Sequence, residues 1–333
     1  MHFWQQSIWE ELIKRHTTAV LAHALLFCGP EGLGKKACAI EFAQFILCQR
    51  PGGDCFCGNC ASCLLMKAGT HPDFSLVVPE GPGKQIKIDQ IRTLSDDLSK
   101  TSSQGGYKVA VIAPADAMNL AAANALLKTL EEPEGKTLII LVSSIPQTLP
   151  ATIRSRSQRQ IFALPELLLA RGWLAKKNIP LENIDTFLAM ADMSPLRALE
   201  FAGHQDLMEF HLQLLRDLVK LSLGEIDPLV LAKQYMTADF KFFFASLIKI
   251  ITKVIKLGFY LEKHFFIGCD PKEKELLCAL LARSDVTKLF LYLDKIQKLN
   301  KVLQDGINLN KQLMLEDLFL FNFGGISHCA CSS

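Results

Sequence analysis

A glycine-rich turn at residues 29–35, with the sequence GPEGLGK, has the composition of a phosphate-binding loop. It fills seven positions of the pattern G-x-x-x-x-G-K-[ST], in which backbone N–H groups surround phosphates and the lysine reaches the terminal ones. The eighth position holds Lys36 instead of Ser or Thr, and an ammonium group has no lone pair for Mg²⁺. We therefore predict a degenerate loop, whose candidate phosphate contacts are Gly29, Gly32, Gly34 and Lys35.

A second metal-assisting position is also altered. The apolar run 108–112 predicts a strand, and in P-loop ATPases such a strand ends in Asp-Glu, which assist Mg²⁺ and polarise the attacking water. Ala113 and Pro114 stand in those places, and we interpret Asp116 as the N-cap of a helix over 118–130. Productive ATP turnover by this chain is therefore not expected, while weak Mg²⁺-independent nucleotide binding stays open.

A cysteine-rich segment forms a second candidate site. Cys57, Cys60 and Cys63 make two overlapping C-x-x-C turns, and Cys48 ends the predicted preceding helix. Four thiolates can thus surround one tetrahedral ion, for which zinc is the natural occupant. An iron–sulfur cluster or a redox pair is the alternative chemistry.

Two other residues compete for places in this metal site. Cys55 could replace Cys57, and His71 could replace Cys48 as the fourth ligand. No general base or open coordination position is evident nearby, so the predicted site is structural, with every position filled by protein.

Three arginines, Arg154, Arg156 and Arg159, follow a predicted buried strand over 138–142. From the residues alone they are either a solvated basic helix end or the source of an arginine presented to a phosphate. The planar guanidinium fork suits the second role.

The length, composition and charge limit the class of protein to which these sites belong. The chain has 333 residues, of which 50% are hydrophobic and 21% charged, with a formal net charge of +2. The length predicts two or three globular domains, and the composition excludes a mostly disordered chain or one that binds nucleic acid through its overall charge. The first residues lack signal-peptide features, and no apolar run is long enough for a membrane span. We expect a cytoplasmic protein without membrane contacts, whose cysteines are metal ligands more than disulfides.

Periodicity predicts the elements that position these residues. Apolar runs at 25–28, 74–78, 108–112 and 138–142 predict buried strands, and helical patterns between them predict an α/β domain with a parallel sheet. From about residue 165 helical patterns replace strands, with helices predicted over 166–177, over 181–191 and from Pro195 onward.

Several motifs together carry a family resemblance. They are HALL at 23–26, the cysteine segment followed by LMKAGTHPD at 65–73, AANALLKTLEEP at 122–133, TIRSRS at 152–157 and, more weakly, GINLN at 306–310. With these motifs the chain resembles the delta-prime family of bacterial DNA polymerase III clamp-loader subunits, within the AAA+ superfamily.

The resemblance implies a three-part architecture. An AAA+ (RecA-like P-loop) domain would cover 1–165, with a zinc module inserted at about 48–70. A helical lid would cover 166–206, and an all-helical oligomerisation domain, the collar, would cover 207–333.

The resemblance also implies roles for residues. The family's Ser-Arg-Cys motif supplies an arginine finger to a neighbouring ATP site, and it stands here as Ser-Arg-Ser with Arg156 intact. Arg197 resembles the sensor arginine of active loader subunits and is otherwise a remnant or a surface charge. The implied zinc ligands are Cys48, Cys57, Cys60 and Cys63.

The implied partners are a tau/gamma-type motor subunit and a delta subunit, with the sliding clamp and primed DNA reached through the complex. The chain would belong to the DNA polymerase III holoenzyme without ATPase or polymerase activity of its own. The sequence leaves two alternatives: an active AAA+ clamp-loader ATPase, or a zinc-dependent DNA-binding module on an inactive ATPase fold.

Overall fold

The computed structural model describes residues 1–81, 83–103, 106–177, 179–203, 205–259, 271–304 and 310–321. The chain divides into two compact units. One comprises Met1–Ala170 with Met193–Arg197, and the other comprises Arg171–Asp192 with Ala198–Ser333. The domain limits stated above stay predictions, and most of the motif at 306–310 lies outside the described residues.

The first unit is built on a five-stranded, wholly parallel sheet. The strands lie in the order β2-β3-β4-β1-β5, so the phosphate loop after β1 leaves the sheet between the ends of β4 and β5. Strands β1, β3 and β4 are buried along their whole length, as expected for apolar runs covered on both faces. The strands are β1 (Ala24–Cys28), β2 (Phe74–Val77), β3 (Lys108–Ile112), β4 (Thr137–Ser143) and β5 (Gln158–Ile161).

Strand β5 has no counterpart in the sequence prediction. It reads Gln-Arg-Gln-Ile and pairs only with β1, at the edge of the sheet. An edge strand has one free side and needs little apolar character, so hydrophobic periodicity does not detect it.

Helices cover both faces of the sheet. Those with Trp9 and Phe42 pack on one face, and those with Leu94 and Leu126 pack on the other. The predicted parallel α/β domain is thereby confirmed. The helices are α1 (Gln6–Thr17), α2 (Lys35–Leu47), α3 (Ala61–Ala68), α4 (Ile88–Ser99), α5 (Leu120–Glu131) and α6 (Ala151–Arg156), and α7 (Leu167–Ala175) begins in this unit.

The cap of α5 differs from the prediction. Its N-cap is Asn119, whose side-chain oxygen accepts a hydrogen bond from the Ala122 N–H at 2.8 Å. Asp116 lies earlier, in a 3-10 helix over Ala115–Ala117, so the interpretation of Asp116 as the cap is wrong. Asn and Asp are near-equal N-caps, and the helix starts two residues later than expected.

All regular elements in the described ranges of the second unit are helices, as predicted. Its core surrounds Leu218, Phe243, Leu247, Tyr292 and Leu315, all fully buried. The remaining helices are α8 (Leu181–Met190), α9 (Pro195–Gly203), which begins in the first unit, α10 (Gln205–Leu223), α11 (Pro228–Tyr235), α12 (Phe240–Phe259), α13 (Pro271–Leu281), α14 (Val286–Gln304) and α15 (Lys311–Phe319). None of the helices within the described ranges combines the length and apolarity that a membrane span requires.

Candidate phosphate loop, metal centre and exposed arginine

The phosphate loop joins β1 to α2 as predicted, and two of its glycines are required by close packing. Gly29 has φ +149°, and a Cβ there would lie 2.3 Å from the carbonyl oxygen of Phe162. Gly32 has φ +78°, and its Cβ would lie 2.7 Å from the Cβ of Arg197. Both distances are shorter than atoms tolerate, so any larger residue would push the loop away from its neighbours.

Lys35 is directed into the loop itself. The residue is 5% exposed, and its Nζ donates to the carbonyl oxygens of Gly29 and Pro30, both at 2.7 Å, and to the Ser144 hydroxyl at 3.1 Å. Burial lowers the pKa of Lys35. Because an ammonium group has three donors, the loop and its neighbour already use all of them. A phosphate could bind this lysine only by replacing one of these acceptors.

Neighbouring segments hold the loop in this form. The indole Nε1 of Trp4 and the amide Nε2 of Gln5 both donate to the Leu33 carbonyl, at 3.0 and 2.8 Å. The N–H of Leu196 donates to the Gly32 carbonyl at 3.2 Å. The loop therefore rests between the N-terminal segment and the start of α9.

The sensor-like Arg197 lies beside the same loop. Its Nη1 is 3.9 Å from Oε2 of Glu31, a loop residue whose side chain is largely exposed. The structure thus places Arg197 near the predicted phosphate site, in contact with a carboxylate of its own chain.

Asp116 places a carboxylate at the edge of the sheet where β3 and β4 end, although positions 113 and 114, where a P-loop ATPase has Asp-Glu, hold none. Ala113 and Pro114 follow β3, and Asp116 accepts a hydrogen bond from the Ser144 N–H at 3.1 Å. Since the Ser144 hydroxyl accepts from Lys35, this serine connects Asp116 to the phosphate loop. Asp116 is therefore held at the loop by one backbone N–H.

The four predicted metal ligands converge in space. The Sγ atoms of Cys48, Cys57, Cys60 and Cys63 all lie within 4.8 Å of one another. Two of the separations are 3.9 Å, between Cys48 and Cys60, and 4.0 Å, between Cys57 and Cys63. Sulfurs around a tetrahedral zinc with bonds of about 2.3 Å stand about 3.8 Å apart, so the cluster has the size that such an ion needs. These four cysteines could bind a metal ion.

Backbone N–H groups point at three of these sulfurs. The N–H of Cys57 donates to Cys48 Sγ at 3.3 Å, that of Cys60 to Cys57 Sγ at 3.3 Å, and that of Cys63 to Cys60 Sγ at 3.4 Å. Burial alone would raise the pKa of Cys60, but N–H donors, first that of Cys63, outweigh it and lower this pKa to about 6. Such bonds favour the thiolate, which is the form that binds a metal.

His71 has other partners. Its Nδ1 accepts from the Asp73 N–H at 3.0 Å, which assigns the ring proton to Nε2, 2.8 Å from the Ser62 hydroxyl. That hydroxyl donates to the Leu47 carbonyl at 2.6 Å. Neither ring nitrogen then has a lone pair for a metal, so His71 serves to join α2, α3 and the start of β2.

Cys55 also stands apart from the four converging thiols. It is exposed, and its backbone pairs with Gly52 in a tight turn. The metal cluster among the described residues is formed without it.

The three arginines differ in their exposure and in the elements that carry them. Arg156 is the last residue of α6, and its Nη1 donates to the Thr152 carbonyl at 3.1 Å. Its Nη2 lies 2.6 Å from Oε1 of Glu131, and the side chain is 37% exposed. Arg159 is exposed on β5, whereas Arg154 is half-buried. Arg156 is thus both exposed and fixed at two atoms.

The sheet order and the loop after β1 define this unit as a P-loop α/β domain of the AAA+ type. A family model described as "DNA polymerase III, delta subunit" matches residues 4–166. The protein named DNA polymerase III subunit delta' in Pseudomonas aeruginosa is 36% identical over 95% of both chains. The Yersinia pestis protein of the same name is 37% identical over 59% of each chain.

A solved structure from Thermotoga maritima, described as a DNA polymerase III gamma subunit-related protein, aligns over 95% of this chain and 97% of its own. Its TM-score is 0.40 at 19% identity. At 36% identity over nearly the whole chain, this chain belongs to the family of DNA polymerase III delta' subunits. The resemblance inferred from the motifs is confirmed.

Two contacts of these candidate sites were not predicted from the sequence. Glu131, the partner of Arg156, lies within a recognised motif, but nothing in the residues indicated which side chain it meets. Ser144, which contacts Lys35 across 109 positions, follows a buried strand with no distinguishing pattern. The sheet order brings Ser144 to Lys35, and the packing of α5 against α6 brings Glu131 to Arg156.

Proposed function

We propose that this chain is a non-motor subunit of the DNA polymerase III sliding-clamp loader that donates Arg156 to the ATP site of a neighbouring motor subunit. The observation that carries the proposal is the contrast between the two candidate phosphate-binding groups. Lys35 is buried and bound to its own loop, while Arg156 is exposed at a helix end.

The phosphate loop supports a role without ATP hydrolysis. Lys36 replaces the hydroxyl that would bind Mg²⁺, and no carboxylate follows β3 directly. A nucleotide would also have to displace the acceptors of Lys35. Each change opposes turnover, and together they leave the loop as a structural connection between β1 and α2.

Arg156 supports a role in trans. During phosphoryl transfer, negative charge develops on the oxygens of the transferred group, and a guanidinium held beside them stabilises it. In other systems such an arginine is worth roughly 10³ to 10⁵ in rate. A residue at the end of a surface helix can reach a neighbour's site without unfolding its own chain.

The partners follow from the family. We propose that the chain assembles with a tau/gamma-type motor subunit and a delta subunit, and that it reaches the sliding clamp and primed DNA through that complex. The cysteine cluster would hold a structural zinc ion, because all four positions are thiols whose sulfurs converge and backbone N–H groups donate to three of them.

The test is steady-state ATP hydrolysis by the chain alone and by the loader reconstituted with motor, delta and clamp proteins on primed DNA. We expect no hydrolysis by the chain alone, and a slower complex when it carries Arg156→Ala. Arg159→Ala, which removes an exposed arginine from β5, is the matched control and should leave the rate unchanged. Hydrolysis by the chain alone, or a complex indifferent to Arg156→Ala, would contradict the proposal.

A further inference from the structure

The guanidinium of Arg156 is held by acceptors from two different helices. Glu131 is the last residue of α5, and Arg156 is the last residue of α6. Between the two helices, the buried side chains of Leu126, Leu130 and Ile153 belong to one core. The ends of the two helices are therefore fixed by packing, and the carboxylate of Glu131 has a defined place beside Arg156.

The contacts with Thr152 and Glu131 use some of the N–H donors of Arg156 and leave the others for a ligand. Nη1 donates to the Thr152 carbonyl oxygen, and Nη2 pairs with the Glu131 carboxylate. The guanidinium has five N–H donors, so others stay available for a phosphate. A free arginine side chain has several rotatable bonds and must lose that freedom before it can contact a phosphate. Here much of that ordering is complete before any partner arrives.

The pair contributes little to folding. Both side chains are more than a third exposed, and solvent screens ion pairs of this kind. The effect of Glu131 is therefore expected on the orientation of Arg156 more than on the stability of the chain.

We propose that Glu131 is a positioning residue for Arg156, one that holds the guanidinium in the direction from which it reaches a neighbour's phosphate. This inference rests on the proposed role of Arg156 in trans. The same contact permits the opposite role, in which the carboxylate competes with the phosphate and restrains the arginine. The two roles differ in sign, because loss of a positioning residue slows hydrolysis and loss of a competitor speeds it.

The test uses the reconstituted loader carrying Glu131→Ala, Arg156→Ala or both, with Glu132→Ala as the control. Glu132 is the next residue and is exposed, and the structure records no ion pair between it and Arg156. We expect Glu131→Ala to slow the hydrolysis that depends on Arg156 by roughly threefold to thirtyfold, with KM for ATP little changed. In a chain that already carries Arg156→Ala, Glu131→Ala should not change the rate of hydrolysis further. Glu132→Ala should leave the rate unchanged with either residue at position 156.

Each outcome is decisive. If Arg156→Ala alone leaves hydrolysis unchanged, the trans role fails and the positioning role fails with it. If Arg156→Ala slows hydrolysis while Glu131→Ala does not, or accelerates it, the trans role stands and the positioning role is wrong. Glu131→Gln keeps an acceptor oxygen in place, so its rate should lie between those of Glu131→Ala and the wild type. A Gln variant as slow as Ala with an equally lowered Tm would identify a folding defect and overturn the proposal.

Discussion

The Nζ of Lys35 lies 2.7 Å from the carbonyl oxygen of Gly29, the residue that opens its own phosphate loop. The lysine that would bind the terminal phosphates therefore binds the loop that should surround them. Together with the bonds to Pro30 and Ser144, this contact uses all three donors of the ammonium group, so a phosphate would have to replace one of these acceptors to bind it.

Replacement of this lysine should not affect the loader's catalysis. Lys35→Met replaces the ammonium by an apolar chain of similar length, and we expect ATP hydrolysis by the assembled loader to stay within about twofold of the wild type. The physical reason is that Lys36 stands where the hydroxyl that binds Mg²⁺ would be. Steady-state hydrolysis on primed DNA is the measurement, with the exposed Lys36→Met as the control. A large loss confined to Lys35→Met would mean that the loop takes part in turnover.

The cysteine cluster should contain one zinc ion per chain, and its loss should lower thermal stability. Cys60→Ser removes one of four thiol ligands, and we expect loss of the metal and a Tm lower by more than about 5 °C. Metal content by atomic emission and unfolding followed by circular dichroism are the measurements. Cys55→Ser changes an exposed cysteine outside the cluster and should retain the metal and the Tm. Equal metal loss in both variants would show that the ligand set is different.

A buried ionic group in the second unit should make stability depend on pH. Glu273 of α13 is 2% exposed and lies 2.5 Å from Lys253 Nζ of α12 and 3.5 Å from His211 Nε2 of α10. Burial alone would raise the pKa of Glu273, but the contact with His211 and the charge and hydrogen bond of Lys253 outweigh it and lower this pKa to about 2.

A carboxyl whose pKa is lower in the folded chain stabilises the fold above its ordinary pKa of about 4.5 and loses that effect as pH falls toward 2. The shift corresponds to about 3 kcal/mol at neutral pH. Burial also lowers the pKa of His211, so protonation of this ring in acid acts in the same direction. We expect Glu273→Gln to lower Tm strongly at pH 7 and less at pH 3, while the exposed Glu275→Gln changes little. A Tm deficit that is constant over this range would contradict the assignment.

The sequence predicted the buried strands and the metal cluster because both have local signatures. The runs that form β1, β3 and β4 are continuous and apolar, and the cysteine spacing alone brings the thiols near one another. The edge strand β5 escaped because its residues are mostly polar. The sequence did not show which residue caps α5, because Asp and Asn are near-equal N-caps. Asp116 was predicted, whereas Asn119, three residues later, is the cap.

The contacts on which the proposed function rests could not be predicted from the sequence. Lys35 meets Ser144 only because β4 lies beside β1 in the sheet. Glu131 meets Arg156 only because α5 and α6 pack side by side over a common core. Neither contact follows from residue type or spacing, since both depend on the order of elements in three dimensions.

Single-turnover hydrolysis tests the central claim, the trans role of Arg156, most directly. The loader is assembled with wild-type chain or with Arg156→Ala, loaded with ATP, and mixed with primed DNA in a quenched-flow instrument. We predict that in the Arg156→Ala complex the amplitude of the fast phase falls by one ATP hydrolysed for each copy of this chain. The affinity for ATP should stay within about threefold of the wild type, because the arginine acts on the developing charge more than on the bound nucleotide. A fast phase of unchanged amplitude and rate in the Arg156→Ala complex would contradict the account.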